Sequence, residues 1–448
     1  MNALLTDLYE LTMAAGYFEA GKAGEKGTFE LFIRRLPANR NFVVAAGLAQ
    51  AVDYLRNLRF TEGEIAYLRG LPQFARVSPP FFDALRNLRF TGDVFAMPEG
   101  TVAFAGEPLL TVRAPLMEAQ IAETYLLATI TFQTMIATKA ARVAEAAAGR
   151  AVIEFGTRRA HSPEAGVLAA RAAYIGGCAG TSNTLAGHRY GIPVYGTAAH
   201  SWVQAFESET EAFRRLQQVL GPATVHLVDT YDTLEGARQA AALGGPLWGV
   251  RLDSGNLFEL APAVRRILDE AGLPEARIMA SGELNEYKIL ELVAAGVPID
   301  AFGVGTELAT SADAPNLGAV YKLVELDADG RKRFPAKFSE EKQTLPGSKQ
   351  VFRFADRDMV GCSWECPSCA PGAAMAEALL RPVMIRGELA EPLPDVEAAR
   401  ARARASLARL PEALHHLAAA DPPYPVRYSA ELLALQEETR RQLQGASV

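Results

Sequence analysis

The chain has 448 residues, of which 49% are hydrophobic and 22% charged, an ordinary composition for a folded protein of two or three domains. Its net charge of -7 argues against a general nucleic-acid binder, because such proteins normally carry a basic excess. No apolar run approaches the ~20 residues that span a bilayer, and the N-terminal stretch lacks the basic lead of a secretory signal. Four cysteines are too few for a disulfide framework in a chain this long, so we expect a reducing, cytoplasmic setting.

The N-terminal part of the chain mixes helical and strand patterns. Apolar residues recur at helical spacing over 4–18 and 43–57 and predict two amphipathic helices. Between them, residues 28–33 predict a strand followed by a polar loop. Short β-prone runs cut by Pro and Gly over 92–115 indicate an antiparallel sheet, and the Ala-rich periodic pattern over 118–148 indicates one long helix.

The middle of the chain has a regular alternation of short apolar runs and helical stretches. The runs are AVIEFGTRR, IPVYGTAAH, VHLVDTYD, LWGVRLDSG, RIMASGEL and DAFGVGTEL, with AVYKLVEL behind them. Such alternation predicts parallel strands joined by helices. Its repetition within roughly 200 residues favours a (β/α) barrel, complete or slightly irregular, over an open doubly wound sheet.

The C-terminal part ends in two Arg- and Ala-rich stretches that predict helices, over 395–418 and 429–443. Because Arg400, Arg402 and Arg404 do not share a helical face, we expect them to form a solvated surface.

Three of the four cysteines lie close together in this region, at Cys362, Cys366 and Cys369. Their spacing allows a shared structural zinc, but no neighbouring Cys or His supplies the usual fourth ligand. Reduced thiols are therefore the expected alternative.

Reactive groups of a (β/α) barrel gather at the C-terminal ends of its strands. Read in order, these ends carry Glu154, Arg158 and Arg159; Thr197 and His200; Asp229 and Asp232; Arg251, Asp253 and Ser254; Ser281 and Glu283; Gly303, Gly305 and Thr306. One charged strand end is common in barrels, but a full ring of them predicts an active site.

The cations and glycines of this ring suit anionic ligands. Arg158, Arg159 and Arg251 can recognise carboxylate or phosphate in bidentate fashion. The stretch 303–306 allows close backbone approach, so its N–H groups can cradle a phosphate.

The acids and the histidine each have two interpretations. Asp229, Asp253 and Glu283 can grip ribose hydroxyls or Mg²⁺, or can simply cap helices, as Asp253 and Ser254 could before Gly255. His200 by itself is a weak signal, equally compatible with a structural histidine beside a helix start.

Seven segments resemble, in chain order, the motifs of the nicotinate phosphoribosyltransferase family: TDLYELTM, FELFIRRLPANRNF, EFGTRRAHSPEAG, GTAAHSWVQAF, GVRLDSGNL, FGVGTELATS and EKQTLPGSKQVFR. The resemblance covers about residues 5–355. It implies a type II phosphoribosyltransferase, of α/β class, with an irregular (β/α) barrel, an N-terminal α/β sandwich domain and a helical C-terminal extension. We therefore expect domains over 1–148, 149–335 and 336–448, the last partly packed on the first, in a dimer or higher homo-oligomer.

The resemblance also implies a reaction. Nicotinate and 5-phosphoribosyl 1-pyrophosphate would give nicotinate mononucleotide and pyrophosphate in NAD biosynthesis by salvage, with ATP as co-substrate and His200 as a phosphohistidine. Mg²⁺ is the expected metal ion. The expected substrate-binding residues are Tyr9, Arg158, Thr197, Arg251, Asp253, Ser254, Glu283, Gly303, Gly305, Thr306 and Thr344. Of these, Tyr9, Thr197 and Arg251 are expected near nicotinate.

Departures and alternatives accompany this interpretation. Asn256 stands where the family motif has Asp, and Glu283 stands where Asp is common. Arg34 and Arg35 either complete a neighbouring subunit's site or form a surface pair. A nicotinamide or quinolinate phosphoribosyltransferase is the nearest alternative. A barrel aldolase, with Lys322 as its Schiff-base lysine, and a ligand-binding protein without turnover are more distant ones.

Overall fold

The computed structural model describes residues 3–328, 330–338, 343–369 and 375–445. The α-helices of the described residues are α1 (Leu8–Glu19), α2 (Leu48–Arg56), α3 (Glu62–Gly70), α4 (Pro79–Asn87), α5 (Leu116–Ile121), α6 (Glu123–Ala146), α7 (Pro163–Ile175), α8 (Thr184–Tyr190), α9 (His200–Gln204), α10 (Glu209–Leu220), α11 (Thr233–Ala242), α12 (Leu257–Glu270), α13 (Glu286–Ala294), α14 (Thr306–Ala309), α15 (Val396–Leu407) and α16 (Ala430–Gly445).

The strands of the described residues are β1 (Lys26–Arg35), β2 (Val43–Val44), β3 (Asp93–Ala96), β4 (Val102–Ala103), β5 (Pro108–Pro115), β6 (Ala151–Glu154), β7 (Gly180–Thr181), β8 (Val225–Leu227), β9 (Gly249–Leu252), β10 (Arg277–Ala280), β11 (Ala301–Val304), β12 (Gly318–Ala328), β13 (Arg331–Arg333), β14 (Lys349–Arg353), β15 (Asp358–Cys362), β16 (Glu377–Ala378), β17 (Arg381–Ile385), β18 (Glu388–Leu389) and β19 (Val426–Tyr428).

The chain folds into two compact units, both of them discontinuous in sequence. The terminal unit consists of Met1–Thr134, Asn316–Pro394 and Ser406–Val448, and the central unit of Met135–Pro315 and Asp395–Ala405. The division falls inside α6, at Thr134, about four helical turns before residue 149, where the barrel domain was expected to begin. No helix of the described residues is long and apolar enough to cross a membrane.

The terminal unit is built on a seven-stranded sheet of order β13-β12-β1-β5-β3-β17-β18. Strand β1 runs through its middle and pairs antiparallel with β12 on one side and β5 on the other. Phe29, Leu31 and Ile33 are almost fully buried, and Phe29 stacks on Tyr321 of β12 with ring centroids 5.0 Å apart. A second sheet, β16-β14-β15-β19, belongs to the same unit.

The central unit is built on a parallel sheet of order β7-β6-β11-β10-β9-β8. Strands β8 to β11 lie side by side in chain order, β11 then pairs with β6, and β6 pairs with β7. A single parallel bridge from Thr181 to Val194 continues this order beyond β7. The strands therefore follow the circular order of a barrel without the reversal of a doubly wound sheet, and pairing among the described residues does not close the circle between Val194 and β8.

Several predicted elements differ from the structure in instructive ways. AVYKLVEL is not a strand of the parallel sheet: as part of β12 it pairs antiparallel with β1, so Lys322 cannot serve as the lysine of a barrel aldolase. The expected boundary at residue 335 accordingly lies nearer 315. IPVYG forms no regular strand, and the long helix predicted over 118–148 is broken at Ala122 into α5 and α6.

The prediction for the C-terminal arginines is wrong at Arg400. Its guanidinium donates hydrogen bonds to the carbonyls of Cys178 at 2.6 Å and Gly177 at 3.3 Å, and lies over the Tyr174 ring. Tyr174 in turn donates to Glu397 at 2.6 Å. Helix α15 is thus anchored to the central unit through side chains whose partners lie more than 200 positions away in sequence, which helical spacing alone does not show.

Candidate active site

The C-terminal ends of β6, β9, β10 and β11 surround a cavity of about 720 Å³ in the central unit. Its lining includes most of the residues of the predicted ring, namely Arg158, Arg159, Arg251, Asp253, Ser254, Ser281, Glu283, Gly303, Gly305 and Thr306. Parallel strands bring their carboxyl ends to one edge, which is why segments 150 residues apart meet here.

The side chain of Arg251 donates four hydrogen bonds in this cavity. Its Nε donates to Ser281 Oγ at 2.7 Å, its Nη1 to Thr197 Oγ1 at 2.6 Å and the Ala198 carbonyl at 3.2 Å, and its Nη2 to Asp253 Oδ1 at 2.6 Å. A guanidinium has five N–H bonds, so one on Nη2 is left for a ligand within the described surroundings. The bidentate carboxylate clamp expected of Arg251 is therefore not open in this arrangement, whereas a single charge-assisted hydrogen bond is.

Asp253 is held as a carboxylate by its neighbours. Burial raises its pKa, but hydrogen bonds from Ser281 and Arg251 and the charges of Arg251 and His200 outweigh burial, so its pKa lies below the ordinary value. Its backbone N–H donates to Asp229 Oδ2 at 3.0 Å, and Ser254 Oγ donates to the same oxygen at 2.6 Å.

The helix-cap interpretation of Asp253 and Ser254 is wrong. The cap of α12 is Asn256, whose side chain accepts from Phe258 N at 3.1 Å. The residue that departs from the family motif therefore has a structural task, and Asp253 is free to face the cavity. Asp232, in contrast, does cap a helix, since it accepts from Glu235 N at 2.8 Å.

His200 is the first residue of α9 and lies beside the carboxylate of Asp253. Its Nδ1 is 3.2 Å from Thr230 Oγ1, and its Nε2 is 3.9 Å from Asp253 Oδ2. The side chain is 41% exposed, so the imidazole is reachable from solvent and is not packed into the core. Thr230, which the sequence analysis missed, is its orienting partner.

Two arginines of the cavity carry uncommitted charge. Arg158 and Arg159 lie on a 3₁₀ turn after β6 and are exposed, and their guanidinium groups form no hydrogen bond or close ion pair with any described residue. Lys288, one turn into α13, also lines the cavity and donates to the Glu283 carbonyl at 2.9 Å. The sequence analysis missed Lys288 because it lies eight residues beyond the end of β10, and only the fold of the first turn of α13 brings it to the cavity.

Gly303 owes its identity to packing. A Cβ on Gly303 would lie 2.5 Å from Phe155 Cδ2 and 2.6 Å from its Cε2. The buried Phe155 ring forms a wall of the cavity, with the Arg251 guanidinium 5.9 Å from the ring centroid. Gly303 thus makes room for a flat apolar surface next to the central cation. Gly305, which directly precedes α14, also lines the cavity. A Cβ there would not clash with the Phe155 ring, so Gly305 is not required for packing in the way that Gly303 is.

The turn after β10 is strained. Glu283 has a φ of 42°, an uncommon value for a residue other than glycine, and its side chain is exposed. Gly282 before it has a φ of 84°, and a Cβ there would lie 2.0 Å from the Asp253 carbonyl oxygen. Such strain concentrates at ligand-binding turns, and here it places Glu283 on the cavity wall.

Glu154 is not part of the cavity surface. Its carboxylate is fully buried and accepts hydrogen bonds from Thr181 Oγ1 at 2.6 Å and from Gly156 N. Burial raises its pKa. It therefore joins β6 to β7, a structural role.

Tyr9 and Thr344 belong to the terminal unit, so the structure leaves their expected substrate contacts as predictions. Tyr9 is 47% exposed on α1. Thr344 accepts from Lys337 N at 2.8 Å and lines a cavity of about 500 Å³ whose other walls include Arg34, Lys322 and Lys337.

The cysteine cluster does not support zinc. Cys362 is a buried free thiol, and burial followed by the charges of Glu365 and Glu431 raises its pKa to about 12. Cys366 is disulfide-bonded, which argues against a shared zinc site and makes the reduced-thiol expectation wrong at Cys366, whereas it holds at Cys362. The side chain of Cys369 lies outside the described residues.

Magnesium has no dedicated cage in the described part of the chain, where no group of three or more His, Cys, Asp or Glu side chains is placed to hold a metal ion. Mg²⁺ is commonly bound through one or two carboxylates together with substrate phosphates. Asp253 and Asp229 fit that mode, because Asp253 is ionised and Asp229 Oδ1 is buried without a hydrogen-bond partner among the described residues.

Comparison with known proteins identifies the family. The nicotinate phosphoribosyltransferase PncB2 of Mycobacterium tuberculosis (strain ATCC 25618 / H37Rv) is 46% identical over 445 residues, which cover 97% of this chain and 93% of the relative. The chain belongs to the nicotinate phosphoribosyltransferase family. The nicotinate phosphoribosyltransferase of Bacillus subtilis (strain 168) is 45% identical over 364 residues, 79% of this chain and 74% of the relative.

Family models and solved structures agree with this membership. Residues 4–131 match the nicotinate phosphoribosyltransferase N-terminal domain, 136–315 the quinolinate phosphoribosyl transferase C-terminal domain, and 368–436 the nicotinate phosphoribosyltransferase C-terminal domain. The crystal structure of human nicotinic acid phosphoribosyltransferase aligns with a TM-score of 0.85 at 31% identity, covering 97% of this chain and 99% of that chain. That of nicotinate-nucleotide pyrophosphorylase from Pyrococcus furiosus gives 0.74 at 28%, covering 91% and 95%. The predicted α/β fold is therefore confirmed.

Proposed function

We propose that this nicotinate phosphoribosyltransferase family member joins nicotinate to 5-phosphoribosyl 1-pyrophosphate, forming nicotinate mononucleotide and pyrophosphate, with ATP hydrolysis coupled through His200. The observation that carries the proposal is that Arg251 and Asp253 line one cavity with the exposed Arg158 and Arg159, while His200 lies beside Asp253, with its Nε2 3.9 Å from Asp253 Oδ2. The reaction serves NAD biosynthesis by salvage, and a cytoplasmic location is part of the proposal.

Nicotinate fits the wall formed by Phe155 and Arg251. The pyridine ring can lie against the Phe155 face while its carboxylate accepts the fifth N–H of Arg251. Uncharged nicotinamide lacks the charge-assisted part of that hydrogen bond. Each tenfold preference for nicotinate requires only about 1.4 kcal/mol, which is within the range of one such contact.

The sugar pyrophosphate suits the other cations of the same cavity. Arg158, Arg159 and Lys288 provide positive charge for its phosphates, and the backbone at Gly305 allows close approach. The ionised Asp253 can accept hydrogen bonds from ribose hydroxyls. The pyridine nitrogen of nicotinate then attacks the ribosyl carbon as the bond to pyrophosphate breaks, and no general base is needed because that nitrogen already carries a lone pair.

Mg²⁺ would be carried by the phosphates and held by Asp253 and Asp229, where it would neutralise charge on the leaving pyrophosphate. The residues of the chain supply the rest: Arg158 and Arg159 stabilise the same developing charge, and Arg251 keeps Asp253 in place.

His200 has the geometry of a phosphoryl carrier. When its Nδ1–H is donated to Thr230 Oγ1, Nε2 carries the free lone pair, 3.9 Å from Asp253 Oδ2 on a side chain that solvent reaches. Nε2 can attack the γ-phosphorus of ATP, forming an N–P bond as the bond to ADP breaks. Water later takes the phosphoryl group, so the cycle releases ADP and phosphate.

A neighbouring subunit could complete the site in a homo-oligomer. Arg34 lines the cationic cavity of the terminal unit together with Lys322 and Thr344. If a partner's terminal unit faces the central cavity, subunits carrying Arg34→Ala mixed with subunits carrying His200→Ala should regain part of the activity. The absence of any recovery would exclude a shared site.

The test of the activity is a competition assay among nicotinate, nicotinamide and quinolinate, with pyrophosphate and phosphate release measured in parallel. We expect nicotinate to be used at least ~10-fold better in kcat/KM than either competitor. His200→Ala should abolish the phosphate release that depends on ATP, while His188→Ala, which removes an exposed histidine of α8, should not. Preference for quinolinate, whose domain model matches residues 136–315, would redirect the proposal.

A further inference from the structure

Lys139 is a fully buried lysine in the second half of α6, within the central unit. Its ammonium lies 2.5 Å from Glu286 Oε2, 2.8 Å from Asp313 Oδ1 and 3.7 Å from Glu307 Oε2. Arg142, one turn later, shares Glu286 through a 3.1 Å ion pair. A lysine this deep is rarely found in proteins unless it is paired, and here three acids from separate segments converge on it.

The three acids follow closely, in sequence, the loops that line the cavity. Glu286 is the first residue of α13, which begins where the strained turn at Glu283 ends. Glu307 is the second residue of α14 and follows the cavity residues Gly305 and Thr306, and Asp313 lies beyond the same helix. Through these ion pairs, Lys139 connects the segment that follows β10 to the segment that follows β11.

The helix that carries Lys139 is itself firmly placed. A Cβ on Gly176, at the end of α7, would lie 2.2 Å from the Ala137 carbonyl oxygen and 2.6 Å from Ala140 Cβ. The two helices thus approach as closely as a glycine allows, on residues flanking Lys139. An ammonium on such a closely packed helix can fix the position of the acidic residues that pair with it.

We propose that Lys139 is a positioning residue that sets the loop carrying Gly305 and Thr306 for the phosphates of the sugar substrate. The inference rests on the proposed function in one respect, the assignment of that loop to the sugar pyrophosphate. Lys139 is fully buried and is not among the residues that line the central cavity, so we expect it to act through Glu307, Asp313 and Glu286. Nicotinate depends on Arg251, which donates hydrogen bonds to Ser281, Thr197 and Asp253 and not to these acids.

The test is the separate measurement of KM for each substrate in Lys139→Met. We expect KM for 5-phosphoribosyl 1-pyrophosphate to rise at least ~10-fold and KM for nicotinate to stay within about twofold of wild type. Lys139→Arg, which keeps the positive charge, should recover part of the loss. A general loss of structure would raise both KM values or lower the active fraction without separating them.

A matched control removes another cation that fastens a loop in the same unit. Arg265 of α12 donates to the carbonyls of Leu273 at 2.9 Å and Ala276, just before β10, at the opposite end of the sheet from the cavity. Arg265→Met should lower the melting temperature without separating the two KM values. Equal changes of both KM values in Lys139→Met, or none, would overturn the proposal.

Glu307→Gln covers the case in which Lys139→Met does not fold. The Glu307 side chain is 32% exposed, so its loss leaves Lys139 paired with Glu286 and Asp313. We expect a rise of ~3-fold or more in KM for the sugar substrate alone, and an unchanged KM would count against the proposal. Gly305→Ala tests the loop assignment separately: if it leaves KM for the sugar substrate unchanged, the proposed function is at fault and not the role of Lys139.

Discussion

Gly303→Ala is a small change with a large expected effect on the nicotinate side of the cavity. The added Cβ would lie 2.5 Å from Phe155 Cδ2, whereas carbon atoms in good contact are ~3.5–4.0 Å apart. The Phe155 ring must therefore move by about 1 Å. Overpacking of this kind costs ~1–3 kcal/mol of stability, and a displacement of ~1 Å at a binding surface can lower activity ~100-fold.

The assay compares kcat/KM for nicotinate with the melting temperature of the same preparation. We expect kcat/KM to fall ~10- to 100-fold, because the ring that moves is the wall beside Arg251. Gly92→Ala is the control: its Cβ would lie 2.4 Å from Ala114 Cβ, an equally severe clash within the terminal unit. That variant should lose stability but keep kcat/KM of the folded protein within about twofold.

A second substitution separates packing from recognition. Phe155→Leu in the Gly303→Ala background makes room for the new methyl group and should restore much of the melting temperature. Activity should stay low, since leucine offers no flat face to the pyridine ring. If Gly303→Ala alone kept kcat/KM within about twofold of wild type, the account of Phe155 as the nicotinate wall would be refuted.

Three further outcomes follow from the side-chain environments. The lowered pKa of Asp253 means that the stability its carboxylate contributes is present at neutral pH and is lost as the pH falls through the folded-state pKa. The difference in melting temperature between wild type and Asp253→Asn should therefore narrow as the pH falls below the ordinary Asp pKa of ~3.9, and a constant difference would contradict this. Burial raises the pKa of Glu10 to about 7, so the folded state favours its protonated form, and Glu10→Gln should gain melting temperature relative to wild type as the pH rises from about 5 to 7; a loss would show that Glu10 is needed as an anion. Metal analysis should find far less than one zinc per chain, and Cys362→Ser should leave metal content unchanged, whereas stoichiometric zinc that the substitution removes would reinstate a metal site.

The parallel strands of the central unit could be predicted because each is a buried apolar run followed by polar residues. The same logic failed for AVYKLVEL, which has the composition of a barrel strand but pairs with β1, nearly 300 residues earlier. A short apolar run has the same local pattern in either sheet, so its partner strand is decided by tertiary packing. Likewise, IPVYG has strand-forming residues but makes only one bridge, at Val194.

Residue types at the site could be predicted better than their tasks. Arg251 is where the sequence analysis expected it, yet its hydrogen bonds to Thr197, Ser281 and Asp253 leave it one N–H for a ligand. Gly303 was expected to cradle phosphate but makes space for Phe155. Both tasks depend on distances between segments far apart in sequence, which no local pattern encodes.

The burial of Lys139 is another feature that the local sequence does not predict. It stands in an Ala-rich helix where a lysine would ordinarily face solvent. Only the convergence of Glu286, Glu307 and Asp313 reveals that it is buried and paired.

The central claim, that His200 carries a phosphoryl group in transit, is tested most directly by labelling the protein with ATP that bears radioactive phosphate in the γ position. Wild-type protein should take up label that is stable to alkali and lost in acid, and should release it when nicotinate and 5-phosphoribosyl 1-pyrophosphate are added. His200→Ala should take up none, while His188→Ala labels normally. Label retained in His200→Ala, or label that the two substrates cannot discharge, would contradict the account.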